Sequence, residues 1–96
     1  MQLTYKTSIK IEPIQNEAFD HKVITVFSPA IREELDKRIA QGKTDGSRIT
    51  VPDGPLAFIN SLCWVSEQDA NDWISFVEGV AAANEITLII KSVDPI

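Results

Sequence analysis

Three groupings in this 96-residue chain bring together residue types that could do chemistry. Gly42-Lys43-Thr44 has the closing residues of a phosphate-binding loop, in which a glycine-rich turn opens a helix whose N–H groups face the phosphate. Asp20-His21 is the one carboxylate–histidine neighbour pair, and a nucleophile with a base would have to be built from Cys63 and His21. Glu67, Asp69, Asp72 and Glu78 form a carboxylate series on which a cation could be sought. None of these meets the geometry its chemistry needs. The GxxxxG frame is missing, and Gly-Lys-Thr follows a helical pattern instead of opening one. Neighbours on an extended chain point apart, so Asp20 does not orient His21. Cys63 sits beside Trp64 in an apolar run and reads as a buried, inert thiol. One histidine and one cysteine give no zinc spacing, no EF-hand loop is present, and the acids are accounted for by helix capping and the helix dipole. The expectation is a non-enzymatic protein with no catalytic residue, metal or cofactor.

The elements that must position these side chains show in the apolar spacing. In residues 3–11, Leu3, Tyr5, Ile9 and Ile11 share one face while Thr4, Lys6, Ser8 and Lys10 share the other, the period of a half-buried strand. Glu12-Pro13 ends it, because proline brings no ladder donor. Val23–Phe27 has strand composition yet could equally lead straight into the helix that follows. That helix is expected to start with Ser28 as N-cap and Pro29 at the first helical position. It should bury Ile31, Leu35 and Ile39 and stop at Gly42 as the C′ residue. Residues 48–51 and 56–65 read as a hairpin around Pro52-Asp53-Gly54-Pro55. Ser66 with Asp69 caps a second helix, Glu67–Ala83, with Ala70, Trp73, Ile74, Val77, Val80 and Ala81 buried. Residues 86–93 form a last strand, apolar enough for a central position. Together these predict one α+β domain over residues 1–96. Two helices pack on one face of a mainly antiparallel four- or five-stranded sheet in a ferredoxin-like arrangement.

Composition narrows the partners. Hydrophobic residues at 44% and charged residues at 24% exclude a disordered chain. A net charge of −5 disfavours nucleic acid and anionic membrane as partners. Residues 1–10 hold no signal-peptide core and no apolar run is long enough to cross a bilayer, so a soluble protein is expected. The single cysteine fits the reducing cytoplasm. With so small a core, a homo-oligomer is expected. Tyr5, Trp64 and Trp73 are the aromatics that could serve an interface. The loops at 43–48 and 52–55 are the expected binding surfaces, with Lys43, Thr44, Asp45, Arg48 and Asp53 as candidate residues.

Gly42–Gly46 after a helix, followed by Trp64, Asp69-Ala70 and Trp73-Ile74-Ser75-Phe76-Val77, resembles a pattern in small proteins of tailed bacteriophages. The likeness spans residues 31–93 and implies a phage-encoded protein, placed in the bacterial host cytoplasm or the virion. A looser similarity is to dimeric ferredoxin-like α/β barrels, including small monooxygenases, which implies a substrate between sheet and helices. The favoured reading is a phage-encoded accessory or virion-associated subunit that self-assembles and binds a protein partner. The alternative is a small-molecule-binding module, either a dimeric ferredoxin-like enzyme or a sponge for a host signalling nucleotide. A sponge would turn Lys43, Arg48 or Lys91 toward phosphates.

Overall fold

The computed structural model describes residues 1–52 and 58–96, with the side chains of 1–47 and 59–96. Four strands, β1 (Tyr5–Ile11), β2 (Arg48–Pro52), β3 (Phe58–Trp64) and β4 (Leu88–Pro95), make one sheet in the order β2-β3-β1-β4. Each neighbouring pair is antiparallel. Helical structure fills the β1–β2 connection, and α3 (Glu67–Ala83) fills the β3–β4 connection. That is the split βαβ arrangement of ferredoxin-like α+β folds.

The first helical region holds the main correction. It runs as α1 (Glu17–Lys22), a π-helical stretch over Val23–Phe27, and α2 (Ser28–Ala40). The backbone stays right-handed helical at Lys22, Val23, Phe27 and Ser28. Asn16 is the N-cap, its side chain accepting from the Phe19 N–H at 2.8 Å. Ser28 is therefore not a cap, and Val23–Phe27 is not a strand but helix that leads straight into α2. Pro29 explains the π turn. A proline inside a helix has no N–H to give and its ring crowds the carbonyl four residues back. Widening the preceding turn, with the Ser28 N–H reaching Val23 O, makes room. The apolar spacing gains as well. Phe19, Val23, Phe27, Ile31 and Leu35 recur every fourth residue, and an ideal α-helix overshoots a full turn by about 40° per such step. The wider turn takes back part of that drift. Phe27 and Leu35 are buried, and Phe19, Val23 and Ile31 pack against the same core.

Both main helices end in the same way. Lys43 N bonds to Arg38 O and Gly42 N to Ile39 O, a Schellman motif with Gly42 at φ +74°. At the end of α3, Ile86 N bonds to Ala81 O and Glu85 N to Ala82 O, and here Glu85 takes the left-handed conformation at φ 58°. α3 starts as expected, with Ser66 Oγ accepting from the Asp69 N–H.

α3 lies across β1, β3 and β4 with Ala70, Trp73, Ile74, Val77 and Ala81 buried. Register places Tyr5, Thr7 and Ile9 of β1 beside Trp64, Leu62 and Asn60 of β3 on this helix-facing side. The opposite side carries Lys6, Ser8 and Lys10, with Cys63 and Ser61 of β3 and Asp94, Ser92 and Ile90 of β4 in register. β4 is an edge strand, not a central one: Ile89 is 52% exposed, and Lys91, Asp94 and Pro95 guard the edge.

Candidate functional site

Trp64 and Trp73 are the centre of the core, 0% and 1% exposed, so neither is an interface aromatic of this chain. Their rings meet at 5.2 Å, tilted by 35°. The Trp64 indole N–H donates to Thr7 Oγ1 at 3.0 Å, and that hydroxyl donates to Leu62 O at 3.3 Å. Burial of the indole N–H is thereby satisfied without water. Tyr5 is half-buried at the start of β1. Hydrogen bonding with the Glu67 carboxylate at the N-terminus of α3 first, and the charge of that carboxylate second, raise its pKa above the ordinary 10.0.

The candidate loop separates into different roles. Thr44 is fully buried, donating to Cys63 O at 2.6 Å and accepting from the Gly46 N–H at 3.2 Å. It pins the loop to β3 and cannot face a partner. Lys43 does the same through its backbone, its carbonyl accepting from the Val65 N–H at 3.0 Å. Asp45 is exposed and closes an Asx turn onto the Ser47 N–H at 2.9 Å. Arg48 opens β2 opposite Leu62, and Asp53 lies outside the described residues. Lys91 sits opposite Ile9 on the edge strand and pairs with Glu78 at 3.3 Å. The Lys43 end of the sheet, where Thr4 meets Trp64 and Val65, is five residues of β1 from Ile9. At the usual strand rise that is on the order of 16 Å, so Lys43 and Lys91 do not form one phosphate cluster.

The remaining chemical candidates are also accounted for. His21 is an exposed residue near the end of α1. Cys63 is half-buried on the side of the sheet away from the helices. Among the described residues no group of three His, Cys, Asp or Glu is placed to hold a metal ion, and no helix is long and apolar enough to cross a membrane.

Composition and spacing did not single out Arg38, a basic residue in the last turn of α2. Its side chain is 12% exposed, with Nε donating to Glu34 Oε1 at 3.1 Å. Its guanidinium carbon lies 5.7 Å from the ring centroids of both Trp73 and Phe76, which stack at 5.9 Å and 27°. Its Nη1 is buried and has no hydrogen-bond partner among the described residues. A spacing signal exists in retrospect: Trp73 and Phe76 are three apart on α3, hence neighbours on one face turned toward α2. On the sheet, the helix-facing side of β3 runs Trp64, Leu62, Asn60, so one polar residue follows two apolar ones, and Thr50 is the register partner of Asn60.

A groove lies between α3 and β4, lined by Glu78, Ala81, Ala82, Ile86, Leu88 and Lys91. The Glu78–Lys91 pair spans it, with both side chains about half exposed.

No protein-family model matches the chain, and no curated protein matches it. Among solved structures it is similar to a protein of Chloroflexus aurantiacus J-10-fl, provisionally assigned as an antibiotic biosynthesis monooxygenase. That likeness is 17% identical with a TM-score of 0.45, over 97% of this chain and 92% of the other. The expected accessory subunit that binds a protein partner is not what this likeness supports, since the matched protein is assigned as an enzyme.

Proposed function

We propose that this protein is a small-molecule-binding module of ferredoxin-like topology that works as a homo-oligomer. The ligand sits between α2, the Trp73–Phe76 edge of α3 and the β2–β3 half of the sheet. One observation carries the reading: the helix-facing side of β3 holds a polar residue, Asn60, at an interlayer position that would ordinarily be filled by a hydrophobic side chain. A few placed polar groups among apolar and aromatic walls are what a small-molecule site requires. Phe27, Ile31 and Leu35 supply such walls from the first helical region, and Trp73 and Phe76 from α3.

The side of the sheet away from α3 would take the second copy. It presents half-buried Ile59 and Ile90 beside a row of Ser61, Ser8 and Ser92, with Lys6 and Asp94 as charges of both signs. A two-fold contact needs a self-complementary surface of that kind.

Native mass spectrometry of gently purified protein tests both parts. A dimer or higher closed oligomer carrying an added small mass is the expected result. A strict monomer at micromolar concentration would remove the assembly, and the absence of a bound mass from every small-molecule mixture offered would remove the module.

A further inference from the structure

We infer that the ligand of this module carries an oxyanion on a planar ring, and that the Arg38 guanidinium receives it; this rests on the small-molecule reading above. A guanidinium has five N–H donors in one plane, arranged to meet the two oxygens of a carboxylate. In this chain Glu34 occupies Nε, and Nη1 is left buried without an acceptor among the described residues. A buried donor with no partner is costly, and native structures keep few of them. Packing alone does not call for arginine: the methylene stem of lysine or methionine would cover Trp73 and Phe76 equally well. What arginine adds is the flat fork and a charge that persists at any accessible pH.

The aromatic frame narrows the ligand further. Trp73 is buried, whereas Phe76 is half-buried and stacked on it, with the guanidinium equally distant from both rings. A planar ring laid on the open part of Phe76 would extend that stack and bring its oxyanion to Arg38. Aryl carboxylates and phenolates share this chemistry. The chain's net charge of −5 repels anions in general, so an anion held here is held by this site and not by the overall field.

Benzoate is the probe, with benzamide as the neutral molecule of the same shape. Binding is followed by tryptophan fluorescence, since Arg38 lies against the Trp73 ring. Benzoate should saturate the wild type and bind at least about tenfold tighter than benzamide, the worth of one charge-assisted hydrogen bond. In Arg38→Met that preference should vanish, and in Arg38→Lys it should shrink. If Arg38→Met does not fold, the benzoate-to-benzamide ratio on the wild type decides alone. Equal binding of the two probes by the wild type overturns the oxyanion assignment while leaving the small-molecule reading in place. If neither probe saturates, the oxyanion assignment again falls, and the native mass measurement decides separately whether any ligand is bound.

Discussion

Glu85 and Gly42 occupy the same position in two copies of one motif, which makes Glu85→Gly a sharp test of the backbone analysis. Each is the left-handed residue of a Schellman helix end, at φ 58° and φ +74° respectively. For an L-residue that conformation costs roughly 1–2 kcal/mol relative to glycine, through the contact of Cβ with the following carbonyl. Glycine returns part of this, about 0.4–1 kcal/mol, by enlarging the unfolded ensemble. Glu85 is exposed, and α3 has no basic residue in its last turn to offset a carboxylate at the negative end of the dipole. Removing that charge contributes a further ~0.3 kcal/mol. The net expectation is stabilisation of about 1 kcal/mol, or roughly 4–8 °C in Tm for a domain of this size. Thermal unfolding by circular dichroism reads the shift, and Glu85→Ala separates the causes. Alanine removes the charge and keeps Cβ, so it should recover only the dipole part, ~0.3 kcal/mol. If Glu85→Gly is no more stable than Glu85→Ala, backbone strain at this position is not the operative term. The mirror experiment is Gly42→Ala. An added Cβ there meets no atom within 4 Å, so any loss, expected at about 1 kcal/mol, comes from the backbone alone.

Tyr5 is the sole tyrosine, so phenolate absorbance reports it directly. Its midpoint should lie above 10.0, and Glu67→Gln should bring it down; an unchanged midpoint in that variant would remove the Glu67 hydrogen bond as the cause. Because the folded-state pKa is the higher one, the stabilisation is fully present below the unfolded value near 10 and is lost as pH rises through the folded value. Thr44→Val keeps the shape but strands the Cys63 carbonyl and the Gly46 N–H. It should cost about 1–3 kcal/mol in denaturant unfolding, and a neutral result would mean the loop relaxes to water. Thr7→Val likewise orphans the Trp64 indole N–H inside the core, with a similar expected loss of about 1–3 kcal/mol and a shifted tryptophan emission.

Where one local rule dominates, the sequence carries the structure. Ser66 before a helical pattern, Gly42 after one, and the alternation of residues 3–11 each involve a single mechanism, and each element formed accordingly. The apolar run at Leu88–Ile90 misleads because it resembles a buried strand, yet strand order is a property of the whole chain, and β4 lies at the edge. The same holds for the tryptophans: enrichment at interfaces and in cores follows from the same large apolar area, and only packing tells them apart.

The Ser28-Pro29 pair shows why the rest was not legible. Locally it satisfies every condition for a helix start, with a capping side chain and a ring that needs no donor. What outvotes it is the four-residue recurrence from Phe19 to Leu35, which buries one continuous stripe only if the chain stays helical through the proline. Several buried side chains outweigh one lost hydrogen bond, and the π turn limits the remaining clash. The same through-going helix sets the direction of α2 and carries Arg38 to the rings of Trp73 and Phe76. A helix restarting at Ser28 would have been free to take another direction. The candidate ligand anchor therefore depends on a backbone feature ten residues away, and a sequence reading that ends one element and starts another at Pro29 cannot reach it.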